Sequence, residues 1–312
     1  MSMSEIFEPF ARLLSDIATP AAVRALEVSG DVAPIWSAVE ASGYLDILVG
    51  EEFGGAGLTL SDAAPIFELL GRHALPLPIG DTMLARALLA RAGVEYGADY
   101  GSAPIALVTG AQPCVGAGFA SAFLTGSPTA PVLQAAEVSA TGVHGDRSAV
   151  VSLSGSAELR PVAAILRALT ISGAAHQLLE MTVAYANDRA QFGKPIGKFQ
   201  AVQQQLAVLA EQAVAARIAA AMGARAGLDA SPLQAALAKH NASVAAAQIA
   251  PIAHGVHGAI GISEEYDLQL FTRRLNEWRM ADGSEAYWAD VVGHARLGQP
   301  DVPTTQFIRS AI

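Results

Sequence analysis

Cysteine is nearly absent: Cys114 is the only one in 312 residues, which excludes an intrachain disulfide framework and a cysteine-built metal cage. It reads as a buried filler. Lysine is almost as scarce, limited to Lys194, Lys198 and Lys239. Charged residues make up 15% of the chain and the formal net charge is −10, so no basic stripe is available for nucleic acid. Long unbroken apolar runs are missing too. The stretch from Ser243 to Ile262 is interrupted by Gln248, Pro251, His254 and His257, and no membrane span is expected. No basic, apolar, small-residue leader opens the chain, so a cytoplasmic protein is expected. His254 and His257 have no third ligand at helical spacing and no HExxH, which argues against a metal. The lack of a Gly-x-Ser-x-Gly elbow argues against hydrolysis.

What is present is apolar bulk. Hydrophobic residues reach 52%, enough for two or three packed units and large interfaces. Residues 1–96 read as an N-terminal α-helical domain, with helical spacing from Glu5 to Ser42 broken near Thr19-Pro20 and Ser29-Gly30. After a Gly-rich turn at Gly54, Gly55 and Gly57, Ser61 is expected to cap one helix and Asp81 another. Residues 97–155 change character. Ile105 to Val108, Ala120 to Leu124 and Ala149 to Leu153 are short runs bounded by Gly, Pro and Ser, and read as strands of a shortened middle β-domain. The Ile105 to Ala111 stretch could open a dinucleotide-binding fold, but Pro113 and Cys114 sit where its phosphate loop needs open backbone, and no YxxxK pair or βαβ alternation follows.

Residues 156–312 are helical again and form a C-terminal helical-bundle domain. Gly173 lies inside the first long helix, where it costs stability unless a close contact compensates. Ser231-Pro232-Leu233-Gln234 is a capping box opening a helix to about Ile249, which Pro251 and Gly255 end. A last helix follows Asp282-Gly283-Ser284 and runs to about Ala295, and the tail from Leu297 lacks periodicity. Between the first two long helices lies Asp188 to Gln200, where Arg189, Gln191 and two of the three lysines gather in an otherwise acidic chain. That concentration suits a phosphate-bearing ligand at a helix start. An ordinary helix connection with a surface Arg accounts for the same residues about as well.

Arg189-Ala190-Gln191-Phe192-Gly193-Lys194-Pro195-Ile196 with Phe199-Gln200 resembles the signature of the acyl-CoA dehydrogenase family. Glu51-Glu52-Phe53-Gly54-Gly55 looks like that family's PEEFGG turn, with Gly50 in place of Pro, and the run from His257 to Tyr266 ending in Arg273-Arg274 is a third match in family order. The resemblance implies a mainly α fold: an N-terminal helical domain, a middle β-domain here cut to about half, and a C-terminal four-helix bundle. It further implies FAD-dependent α,β-desaturation of an acyl-CoA thioester, with electrons passed to an electron-transfer flavoprotein. Shortened chains of this kind resemble one partner of heterotetrameric acyl-CoA dehydrogenases acting on steroid-derived thioesters, so other acyl-CoA dehydrogenase subunits, in a homo- or heterotetramer, are the implied partners.

The resemblance also assigns residues. Arg189, Gln191, Phe192 and Gln200 match those that hold the FAD diphosphate and adenosine across a subunit interface. Gly258 lies in the second diphosphate-contacting stretch, though its usual Gln is missing and Ala259 replaces a Gly. Ser284 matches a hydroxyl donor near the flavin. Asp282 occupies the position of the catalytic base, one methylene shorter than the usual Glu. It fits a working base, a remnant in a subunit that has lost the chemistry, or a flavin oxidase of the nitroalkane oxidase type, and a helix N-cap aspartate would look the same. The alternative base position falls on Ala163 and the neighbouring substrate-pocket Arg on Ala164, neither of which does acid-base work. Glu158 and Arg160 lie nearby. A non-catalytic partner that completes the FAD site of a full-length subunit is the competing function.

Overall fold

The computed structural model describes residues 3–95, 97–142, 147–155 and 157–311. Three helices open the chain: α1 (Met3–Ile17), α2 (Pro20–Ser29) and α3 (Ala33–Ala41). Their breaks fall where the sequence places them. Thr19 accepts a hydrogen bond from the Ala22 amide, Pro20 occupies the first turn, and Gly30 closes α2 at φ 71°. The next helix, α4 (Leu60–Arg72), begins earlier than expected because Thr59, not Ser61, is its cap, in a capping box with Asp62. Asp81 is not a cap either. It lies inside α5 (Ile79–Arg91), a helix buried on every side from Ile79 to Leu89.

After the short helix α6 (Gly97–Tyr100) come β1 (Ile105–Leu107), β2 (Ala122–Gly126), β3 (Pro131–Gln134), β4 (Val138–Ala140) and β5 (Ala149–Val151). β1 pairs parallel with β2, which pairs antiparallel with β3, while β4 and β5 form a separate two-stranded ladder. The sequence exposes β1, β2 and β5 through their apolar runs. β3 and β4 carry exposed residues such as Val132 and Val138, and so lack that signal.

The helical region consists of α7 (Arg160–Asp188), a minimal hairpin of β6 (Ala190–Gln191) and β7 (Lys194–Pro195), then α8 (Gln200–Ala224), α9 (Pro232–His257), α10 (Leu268–Met280), α11 (Glu285–Leu297) and α12 (Thr304–Ala311). α7, α8, α9 and α10 pack as a four-helix bundle, with α11 against α9. α9 opens with the expected capping box at Ser231 but runs through Pro251 and Gly255 to His257, two turns past the expected end. The tail forms α12 despite its weak sequence pattern. Two helices, α7 and α8, are long and apolar enough to cross a membrane by length and composition alone, which corrects the expectation of no candidate; α7 is mostly buried within the protein.

One continuous core runs from Phe10 and Val23 through Ile66, Leu84 and Leu124 to Leu169, Ala246 and Trp278, crossing all three sequence regions. A small cluster of Ala106, Val108, Cys114, Phe123 and Ala149 fills the other side of the β-region, where the Cys114 thiol donates to the Leu107 carbonyl. Gly173 has the close contact its position requires. A Cβ there would lie 1.8 Å from the Glu68 carbonyl oxygen, and one at Gly71 would lie 1.9 Å from that of Thr170, so α4 and α7 touch backbone to backbone. Neither backbone can yield by that much without separating the helices. Gly173→Ala is therefore expected to cost about 3 kcal/mol. Gly255→Ala, in open space on α9, should be neutral or stabilising by about 0.5–1 kcal/mol. Urea midpoints of the two variants check the pair, and equal shifts would refute the close-contact account.

Candidate active site and cofactor corner

The residues singled out by the sequence fall into two groups at opposite ends of α7. At its N-terminal end lies the corner between α10 and α11. Asp282 and Gly283 both take positive φ there, 54° and 102°, a conformation that Asp tolerates and Gly accepts freely. The turn drives the Asp282 side chain inward, leaving it 4% exposed. Its Oδ1 accepts from Thr109 Oγ1 at 2.6 Å, and its Oδ2 accepts from Arg167 Nε at 3.0 Å. Arg167 turns its other two nitrogens to Asp81, at 2.9 and 2.5 Å, in a bidentate pair. α5, α7 and the α10–α11 corner thus meet on one buried guanidinium, and Thr109 joins them through Asp282. Burial opposes the Arg167 charge, but Asp81 and Asp282 outweigh it and hold the guanidinium above its ordinary range. Burial also pushes the Asp81 carboxyl up, with Arg167 pulling against it.

The corner is fixed from behind as well. Trp288 Nε1 donates to the Asp282 carbonyl at 3.1 Å. Lys239, fully buried on α9, donates to the carbonyls of Arg279 and Gly283 and to Ser243 Oγ at 2.8–2.9 Å, while burial pushes its ammonium down to about 7. Ser284 is the N-cap of α11, its side chain accepting from the Tyr287 amide, so the capping role belongs to Ser284 and not to Asp282. Arg160 donates to the Thr109 carbonyl at 2.9 Å and lies over the Tyr287 ring, whereas Ala163 and Ala164 are fully buried and Glu158 is exposed.

The sequence suggests Asp81 only as a helix cap and does not single out Arg167 at all. The available signal is an isolated charge within an apolar helix: Arg167 interrupts Ala163 to Ile171, and Asp81 follows Leu77-Pro78-Ile79-Gly80. The Arg273-Arg274 pair is likewise structural. Both bond Glu27 on α2, at 2.8 and 2.5 Å, and Arg274 also bonds Glu277, which accepts from Ser148 of the β-region.

The second group sits at the C-terminal end of α7. Arg189 follows its last residue, correcting the expectation of a helix start, and the β6–β7 hairpin turns through Phe192 and Gly193 at φ 51° and 80°. Two consecutive positive φ values give a tight two-residue turn. Phe at such a position is unusual, and this one is 92% exposed. Arg189, Gln191, Lys194 and Gln200 are exposed around it, with Lys194 Nζ 4.5 Å from the Phe199 ring centre. Gly258, ending α9 at φ 64° and ψ −142°, reaches the same end: the Tyr185 hydroxyl in the last turn of α7 donates to the His257 carbonyl, and the two rings stack at 4.4 Å. The structure therefore brings Arg189, Gln191, Phe192, Gln200 and Gly258 to one end and places Ser284 at the other with Asp282. The exposed guanidinium, amides and apolar ring fit an anionic dinucleotide presented from outside the chain. About four to five turns further along, α8 leaves Val214 and Ile218 half exposed, at 50% and 54%.

Among the described residues no group of His, Cys, Asp or Glu could hold a metal ion. Residues 161–297 match the family described as acyl-CoA dehydrogenase, C-terminal domain. The chain is 34% identical over 287 residues to the acyl-CoA dehydrogenase IpdE2 of Mycolicibacterium smegmatis, covering 86% of this chain and 90% of that protein. The ChsE4–ChsE5 complex from Mycobacterium tuberculosis contains a chain that superposes with a TM-score of 0.83 at 20% identity, over 97% of this chain and 98% of that one. The Tcur3481–Tcur3483 steroid acyl-CoA dehydrogenase (a G363A variant) gives a TM-score of 0.78 at 23% identity, over 96% and 99%. The helical bundle, the hairpin corner and a relative matched over nearly its whole length agree: the chain belongs to the acyl-CoA dehydrogenase family, oxidoreductases that act on acyl-CoA thioesters.

Proposed function

We propose that this chain is one subunit of a hetero-oligomeric, FAD-dependent acyl-CoA dehydrogenase, and that it lends its α7–α8 corner to a flavin whose ring lies in another chain's acyl site. The observation that carries this reading is the separation along α7. Arg167, bonded to Asp282, and Arg189 are about six turns apart, roughly 33 Å at the helical rise of ~1.5 Å per residue. A diphosphate held at Arg189 is then too far from Asp282 of the same chain for one dinucleotide to serve both. Sharing between chains removes the conflict.

When bound, FAD supplies the acceptor for the β-hydrogen of the thioester. The chain's own contribution is to bind and orient: Arg189 and Gln191 donate to the diphosphate, Gln200 opens α8 beside it, and the Gly258 backbone approaches without a side chain in the way. Phe192, exposed at the hairpin tip, and the apolar face of α8 are covered by the partner. The substrate is an acyl-CoA thioester with a bulky, steroid-type acyl group, in keeping with the relatives, and the electrons leave to an electron-transfer flavoprotein. Asp282 serves in this reading as an anchor, because both of its oxygens already accept from Thr109 and Arg167.

Expressing the chain alone and together with a full-length acyl-CoA dehydrogenase, then reading flavin absorbance per chain, tests the proposal. Little flavin alone and stoichiometric flavin in a stable complex is the expected result. Full occupancy alone, with bleaching by an acyl-CoA, would make it an independent enzyme. No flavin in either state would remove the cofactor from its role.

A further inference from the structure

One residue of α7 touches both halves of the hairpin corner. Tyr185 lies about one turn before Arg189, and its carbonyl accepts the Arg189 amide at 2.9 Å. The Arg189 carbonyl in turn accepts the Ile196 amide at 2.8 Å, so the backbone under the guanidinium is held from both sides. The Tyr185 hydroxyl reaches the end of α9, where it donates to the His257 carbonyl at 3.2 Å. The last carbonyls of a helix have no partner within it, and this one is met by a side chain from another helix.

The rings make the join specific. Tyr185 stacks on His257 with centres 4.4 Å apart and planes 24° from parallel, and Tyr266 closes on both, at 6.2 Å and 5.3 Å. His257 is 3% exposed, and its Nδ1 donates to the Ala253 carbonyl at 2.8 Å. Burial lowers its pKa, so the ring is neutral with its proton on Nδ1, and Nε2 has no hydrogen-bond partner among the described residues. The imidazole therefore acts as a flat spacer against the two phenol rings and does no acid-base work. Next to it Gly258 faces open space, since a Cβ there would meet nothing within 4 Å. The open backbone of Gly258 and the exposed Arg189 side chain are thus set against each other by one hydroxyl and one ring stack.

We infer that Tyr185 is a positioning residue for the cofactor corner, fixing the spacing between Gly258 and Arg189 so that a diphosphate is held by both. This rests on the flavin reading above and adds to it a residue that acts through its neighbours, because its hydroxyl is already bonded to His257. A site that grips an anion from two sides loses much of its hold when either side is displaced.

The measurement is the equilibrium affinity of FAD for the flavin-stripped complex of this chain with a full-length acyl-CoA dehydrogenase, titrated by flavin fluorescence. Tyr185→Phe should weaken it about two- to tenfold, as expected for one neutral hydrogen bond. Tyr185→Leu, which also removes the stack, should weaken it about tenfold or more. The deciding readout is the Tyr185→Phe step repeated in an Arg189→Ala background, where a positioning role predicts little further loss because the second grip is already gone. An equal loss in both backgrounds marks a general loosening of the helix ends and overturns the inference. Wild-type affinity in Tyr185→Phe, beside a clear loss in Arg189→Ala, overturns it too and leaves the flavin reading standing. Wild-type affinity in both single variants takes the reading and the inference down together.

Discussion

Arg167→Met is expected to destabilise the chain by about 3–5 kcal/mol, because it leaves two buried carboxylates without their shared cation. The pH dependence follows from Asp81, whose carboxyl burial already holds above its ordinary value. A carboxyl raised in the folded state stabilises most at low pH and loses that contribution as pH rises through the folded value. The Arg167→Met defect should therefore be larger at pH 8 than at pH 5, as read from urea midpoints at both. Adding Asp81→Asn and Asp282→Asn to Arg167→Met should restore much of the loss, since the uncompensated charges are then gone. Asp282→Asn alone separates anchor from base. Loss of a general base costs about 10²–10⁴-fold in rate. An anchor's substitution lowers stability and leaves the assembly's turnover within a few-fold of wild type. A large rate loss at unchanged stability would return the base to Asp282.

The boundaries the sequence predicts best are those set by local chemistry. Thr19-Pro20, Gly30 and the Ser231 capping box stop or start helices through contacts within four residues, so they are visible without tertiary structure. Asp81 misleads for the opposite reason. Its position before an apolar helix imitates a cap, but the helix starts two residues earlier and the carboxylate is claimed by Arg167, 86 residues away. Pro251 misleads likewise, because the packing of α9 within the bundle outweighs one missing amide. In the site, the hairpin residues sit together because they are contiguous, whereas Gly258, 58 residues beyond Gln200, reaches them only through the path of α9. What no pattern shows is that Asp282 and Ser284 lie at the far end of α7, since that depends on helix length and on the fold of α10 and α11.

Arg189→Ala is expected to empty the assembly of flavin while leaving it assembled. The guanidinium is exposed, follows the last residue of α7 and makes no side-chain hydrogen bond or ion pair among the described residues, so its removal costs the fold little. Against a diphosphate it would supply one or two charge-assisted bonds of about 1.5–3 kcal/mol each, and its loss weakens retention by roughly ten- to a thousand-fold. Gel filtration should give the wild-type complex, and its absorbance should show the loss. Lys198→Gln, altering a neighbouring exposed cation, should reduce retention far less and make it less dependent on salt. The partner's matching Arg offers the reciprocal measurement. If the flavin ring lies in the partner's acyl site, Arg189→Ala in this chain removes the turnover-competent flavin, whereas the partner's variant spares it. Equal losses from the two variants would falsify the one-sided arrangement and point to two working sites.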